Sequence, residues 1–358
     1  MLVDERFWHG RRVFLTGHTG FKGSWLALWL QRMGATVAGY ALRPSSEPSL
    51  FEAAGVSEGV ESTFDDVRDA ARLADALARH RPEVVIHLAA QALVRASYVD
   101  PVETFGVNVL GTVNLLEAVR PCEEVRVVVV VTSDKCYENR EWAWPYREDD
   151  ALGGRDPYSA SKACAELVTA SYRRSFFSDR ADGSGPAVAT ARAGNVVGGG
   201  DWSEDRLVPD LVRSLLNDET LVLRFPRSVR PWQHVLDALG GYLVLAQALW
   251  DRRELAGAWN FAPGSDEACT VEQIVARLGE LLEWSGTWLQ EPDVDSHEAA
   301  SLRLDASLAR DRLGWRSRFS LDETLVSVAD WYRGYAAGWA ARELVDIDLD
   351  RYLRPASP

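Results

Sequence analysis

The run Thr16-Gly17-His18-Thr19-Gly20-Phe21-Lys22-Gly23 joins a short apolar segment, Arg12 to Leu15, to an amphipathic one, Ser24 to Leu30. That order reads as strand, glycine turn, helix. Glycine at every third position lets the backbone turn tightly and approach a diphosphate closely, and it aims the N-terminus of the following helix at the negative charge. The stretch predicts a dinucleotide site built from Gly17, His18, Thr19, Gly20, Phe21 and Gly23. A tight turn that serves packing alone is the plainer alternative, and the rest of the chain has to decide between the two.

From there strands and helices alternate. Thr36 to Ala41 reads as a second strand, Glu61 to Phe64 as a third, and Val84 to Gln91 as a fourth running into a small-residue turn, with helical spacing over Ala70 to His80. Pro101 to Val119 reads as one long helix. Val125 to Val131 is almost unbroken valine, the pattern of a parallel strand buried on both faces, and Ala187 to Ala193 gives a sixth strand. This succession predicts an α/β fold with a Rossmann-type doubly wound parallel sheet and a site at the carboxyl ends of its strands. Beyond Gly194 the pattern loosens into turns. Residues 1–197 are expected to form the dinucleotide-binding domain, with 231–260 returning to it as a helix (Trp232 to Trp250) and a strand (Ala256 to Asn260); 198–230 and 261–358 then form a smaller, discontinuous substrate lobe.

This frame implies further cofactor contacts. Leu88, Ala89 and Ala90 form a turn small enough for a cofactor to lie against the backbone, and Asp66, beside Val67, is placed to accept from an adenine amino group, with a solvated helix cap as the plainer alternative. At the end of the second strand, where an NAD site usually has an acid for the ribose hydroxyls, stands Arg43. With His18 nearby it suits the 2'-phosphate of NADP, and an exposed loop arginine is an equal alternative.

The fifth strand delivers Ser133, Asp134 and Lys135, a hydroxyl, a carboxylate and an amine, to the same edge. About 25 residues on, Asp156 caps a helix that Pro157 begins, so Tyr158 and Lys162 stand at i and i+4 on one face. There the ammonium is expected to favour the phenolate and to bind a nicotinamide ribose. Arg206, Arg224, Arg227 and Arg230 gather in a chain of formal net charge -14, which suits a diphosphate-bearing substrate or else is ordinary surface arginine. That acidic balance opposes nucleic acid as a partner. No apolar run is long enough for a membrane span, and Cys122, Cys136, Cys164 and Cys269 show neither zinc-site nor disulfide spacing, so no metal and a cytoplasmic location are expected.

Taken together, TGHTGFKGSWL, HLAAQ, TSDKCYENREW, DPYSASK, AGNVVGGGDW, DRLVPD and RPWQHV resemble the extended short-chain dehydrogenase/reductase family, in its nucleotide-sugar branch, and within it the 4,6-dehydratases of CDP-glucose. The resemblance covers nearly the whole chain. It implies a retained NAD that takes a hydride from C4 of the sugar and returns it to C6, with Tyr158 as base at the 4-hydroxyl. Asp134 is then the acid for the C6 hydroxyl and Lys135 the C5 base. For Lys135 that role requires burial and Lys162 to outweigh Asp134, failing which water or Tyr158 is the base. The resemblance further implies that Asn195, Arg206 and Arg230 hold the nucleotide diphosphate, with Arg224 near the pyrimidine and Asn260 and His297 completing the substrate contacts, and that the chain forms a homodimer or homotetramer. Arg43 departs from the pattern and puts NAD against NADP in question. A nucleotide-sugar 4-epimerase, a dehydratase of another nucleoside diphosphate glucose, and a non-catalytic NAD-sensing protein share much of this sequence logic. The Asp134-Lys135 pair argues against the epimerase, and an intact Ser133, Tyr158 and Lys162 against the sensor.

Overall fold

A computed structural model describes residues 2–177, 185–264, 269–291 and 301–354. Seven strands form one sheet: β1 (Arg12–Thr16), β2 (Thr36–Ala41), β3 (Val60–Phe64), β4 (Val84–His87), β5 (Val127–Val131), β6 (Ala187–Arg192) and β7 (Ala258–Asn260). Their order is β7-β6-β5-β4-β1-β2-β3, with every pairing parallel. The order reverses between β1 and β4. A crevice opens at that switch point because the crossover helices leave to opposite faces there.

β5 explains why the sheet is buried on both sides. Val127, Val129 and Val131 enter one core layer and Val128 and Val130 the other, as the two-residue period of a strand demands. The first layer also takes Trp25 and Trp29 from α1 (Phe21–Arg32) and Leu239, Tyr242 and Leu243 from α6 (Val235–Asp251), while α2 (Ala70–His80) and α3 (Gly111–Val119) cover the second.

Several elements differ in extent from the sequence reading. The fourth strand stops at His87, and Leu88, Ala89 and Ala90 lie in the turn expected of them. The helix expected over 101–119 is interrupted: Pro101–Phe105 is α-helical, Gly106–Leu110 widens to i→i+5 bonding, and α3 follows. That wide turn puts Asn108 inward, where its side chain bonds Gln91 N at 2.9 Å, Gln91 O at 3.0 Å and Ser161 Oγ at 2.8 Å. It thereby ties the turn after β4 to α4 (Pro157–Tyr172), the helix that carries Tyr158. A last helix, α9 (Ala341–Leu353), has no counterpart in the sequence reading; its Tyr352 meets Trp29 of α1 edge to face at 5.5 Å.

Beyond Arg192 the chain builds α5 (Leu207–Asn217), α7 (Val271–Leu281) and three two-stranded pieces. Leu221–Leu223 pairs with Trp288–Gln290, Val229–Arg230 with Cys269–Thr270, and Val196–Val197 with Gln233–His234. These stand over the carboxyl edge of the sheet, and α8 (Leu321–Ala336) packs between α7 and α9. Among the described residues no helix is long and apolar enough to cross a membrane.

Candidate active site

A cavity of about 600 Å³ lies between the sheet edge and the smaller pieces, within the size range of small-molecule sites. Lys22, Ser133, Asp134, Lys135, Tyr158, Asn195, Arg206, Arg224 and Arg230 all line it, so groups far apart in sequence converge as expected.

The first turn is shaped for a close approach. Gly17 has φ +75°, and a β-carbon there would meet Ala89 N at 2.7 Å. Thr16 fixes the opposite wall, its hydroxyl accepting from Leu88 N and Ala89 N at 3.1 Å and pairing with His87 Nδ1 at 2.7 Å. Thr19 donates to Leu42 O at 2.8 Å, and Gly20 caps α1 without any side chain, so the first-turn N–H groups meet no side-chain capping oxygen. A diphosphate fits such a cradle. Val67 is buried, and Asp66 accepts a two-point contact from Arg68, which holds its carboxyl below the usual range.

His18 departs from its expected part. It is fully buried, bonded to Ser62 Oγ at 3.0 Å and packed edge-on against Phe51, and burial lowers its pKa to about 4. A neutral, enclosed imidazole brings no charge to a 2'-phosphate. Arg43 lies just past the end of β2, exposed and stacked on the Phe64 ring at 4.6 Å.

The chemistry gathers around Ser133. Its hydroxyl donates to Asp134 Oδ1 at 3.0 Å and accepts from Lys135 N at 3.2 Å, and Tyr158 lines the same cavity. Tyr158 is pushed up to about 12, chiefly by burial, with Ser133 and Arg206 pulling downward. Lys162 is lowered to about 8 by burial and by Lys22, and its amine turns to Val131 O at 3.5 Å. The sequence reading has Lys162 favouring the phenolate; in the structure the cation bearing on the phenol is Arg206.

Arg206 also pairs with Asp201 at 3.0 Å, Arg224 donates to Asp205 O at 2.9 Å, and Arg230 is buried beside the cavity. Arg227 lies outside it, beside Phe225, Pro226, Ser228 and Gln290. Asn260 does not reach the cavity at all. Its side chain is wholly buried and spent on Tyr137, Tyr146 and Asp305, because β7 ends beneath the 137–148 segment. His297 falls outside the described residues.

Among the charged cavity residues that the sequence reading does not single out is Lys22. A signal for it exists, because the chain has 39 Lys plus Arg but only three lysines, Lys22, Lys135 and Lys162. Where arginine serves everywhere else, an amine that can lose its proton is conspicuous. Burial, with Arg206, brings Lys22 down to about 8, against the pull of Asp134 and Asp201.

The sequence model described as GDP-mannose 4,6 dehydratase matches residues 14–328. The chain belongs to that dehydratase family. Among its relatives, a CDP-glucose 4,6-dehydratase of Salmonella typhimurium is 49% identical over 339 residues, covering 94% of each chain. A dTDP-glucose 4,6-dehydratase of Streptomyces antibioticus is 33% identical over 76% of each. Among solved structures, a UDP-glucose 4-epimerase of Thermus thermophilus in complex with NAD superposes with a TM-score of 0.77 at 27% identity, covering 90% of this chain and 99% of that one. The parallel sheet and its flanking helices are thus the dehydratase family's architecture.

Proposed function

We propose that the protein is a lyase that converts CDP-D-glucose to CDP-4-dehydro-6-deoxy-D-glucose, with NAD as a retained internal hydride carrier. One observation carries the reading: Asp134 and Lys135 share a cavity with Tyr158. Oxidation at C4 needs a base at one hydroxyl, which a 4-epimerase also has, whereas loss of water across C5 and C6 needs an acid and a second base. The 49% likeness to a CDP-glucose enzyme supports the nucleotide.

NAD, when bound in the glycine cradle, supplies a hydride acceptor for C4 and a donor for C6. The protein's own groups handle the protons. Tyr158 takes the O4 proton, the resulting ketone acidifies C5, Lys135 removes that proton, and Asp134 protonates the departing C6 hydroxyl. Lys162 holds the cofactor ribose, and Asn195, Arg206 and Arg230 hold the diphosphate, with Arg224 toward the base. NAD is preferred to NADP, since a neutral His18 adds no second cation to Arg43; tighter binding of NADP in a direct titration would overturn this, and Arg43→Asp would then reverse the preference.

The exposed apolar side chains of Val102, Leu110 and Leu167, on adjoining helices, form the contact of a homodimer, or of the dimers within a homotetramer. Four unpaired cysteines suit a cytoplasmic location. The assay is direct: kcat/KM is compared for CDP-, dTDP- and UDP-glucose. A clear preference for CDP-glucose is expected, and equal values would remove the nucleotide assignment while leaving the reaction class.

A further inference from the structure

Resting on the proposed reaction, the geometry points to Glu166 as a positioning residue: paired with Arg192, its carboxylate grips both ends of the segment Ser133 to Cys136 and fixes it against the helix of Tyr158 and Lys162. The proposed chemistry uses neither charge, yet Glu166 and Arg192 are only 3% and 2% exposed.

A carboxylate has about four lone-pair sites, and here each is taken. Oε1 accepts from Thr132 Oγ1 at 2.5 Å and from Arg192 Nε at 2.9 Å; Oε2 accepts from Thr190 Oγ1 at 2.7 Å and from Arg192 Nη2 at 2.7 Å. Its place and orientation are therefore set from the end of β5 and from β6 at once. Thr132 immediately precedes Ser133. On the far side of the segment, Arg192 Nη1 donates to Tyr137 Oη at 2.6 Å, and Tyr137 Oη donates to Asn260 Oδ1 at 2.7 Å. One ion pair thus reaches residues 132 and 137, and the chain between them carries the hydroxyl, the acid and the amine.

The other end of the carboxylate is α4. Tyr158, Lys162 and Glu166 stand at i, i+4 and i+8 along one side of that helix, and all three are buried. A buried ion pair is a poor device for stability, because desolvating two charges cancels much of what their attraction gives, and apolar residues of the same volume often do as well. What this pair supplies is one geometry: the spacing between Tyr158 on α4 and Asp134 and Lys135 after β5, on which the proton steps depend.

Glu166→Gln would leave Arg192 buried without its counter-charge and can fail to fold, so the test removes one hydrogen bond from each carboxylate oxygen in turn. Thr132→Val and Thr190→Val are the same chemical change at two buried residues on the same carboxylate, but only Thr132 adjoins the acid and the second base. Both should lower the melting temperature to a similar extent. Thr132→Val should lose kcat roughly 100-fold, the cost of a shift of about 1 Å in catalytic groups, with KM for CDP-glucose little changed. Thr190→Val should keep kcat close to the wild type, and Thr132→Ser, which restores the donor, should recover most of the loss. Equal losses of kcat in the two valine variants, an undiminished kcat in Thr132→Val, or no recovery with serine would overturn the positioning role and leave the dehydratase reading intact. A wild type that does not turn over CDP-glucose would sink that reading and this role with it.

Discussion

Gly194 makes room for Asp134. The carboxylate lies where a β-carbon at residue 194 would be, so the turn after β6 and the acid at the end of β5 are fitted to one another. Gly194→Ala should displace Asp134 and slow water loss roughly 100-fold, the cost of a displacement of about 1 Å in a catalytic group. Oxidation at C4 does not use Asp134 as acid. The variant should therefore accumulate reduced nicotinamide on mixing with substrate, which its absorbance would reveal; normal turnover would show that the acid lies elsewhere.

Lys135→Met separates the second base from the first. It should still reduce the cofactor, with Tyr158 intact, but should no longer exchange the C5 hydrogen with solvent deuterium. A variant that reduces cofactor and exchanges C5 at the normal rate would remove Lys135 as the base.

The legible part of this site is the part written locally. The glycine turn, the i, i+4 pair Tyr158 and Lys162, and the valines of β5 each announce themselves within a few residues, and each lies in the expected element. His18 and Asn260 depart from expectation because polarity shows in the sequence while burial does not: tertiary packing encloses one behind Phe51 and the other under Tyr137. Ser133 and Tyr158, 25 positions apart on different elements, line one cavity, which only the folded chain brings about. The wide turn at Gly106–Leu110 is bracketed by Gly106 and Gly111, a weak breaker signal that the expectation of one long helix passes over.

Lys22 should set the titration of Lys162. The groups bearing on Lys162 are Lys22 on α1, Glu166 on its own helix and Cys136 after β5, and His87 feels its charge in turn. With only three lysines in the chain, selective labelling gives three amine signals by NMR. Lys22→Met should raise the Lys162 midpoint from about 8, and Lys22→Arg should leave it low. The same change has a sign in stability. Lys22 titrates at about 8 folded against 10.5 unfolded, so between those values the unfolded chain binds more protons and stability rises with pH. The penalty is full below pH 8, so Lys22→Met should stabilise the protein near pH 7 by on the order of 1–3 kcal/mol, with the gain fading toward pH 10. A constant gain across that window, or an unmoved Lys162 signal, would contradict the coupling.

Leu110 and Leu167 test the oligomer. They are 59% and 58% exposed on the surface helices, an unfavourable placement for a free monomer's apolar side chains. Leu110→Arg with Leu167→Glu should give monomers in sedimentation with an unchanged melting profile at low concentration. A wild type that already sediments as a monomer would exclude the proposed contact.

The most direct test of the account traces the hydride. CDP-glucose carrying deuterium at C4 is incubated with the enzyme and catalytic NAD, and the product is read by NMR and mass. The account predicts a 4-keto-6-deoxy sugar with the deuterium at C6 and with solvent hydrogen at C5. Deuterium still at C4 in a product of inverted configuration, or lost to the medium, would contradict it.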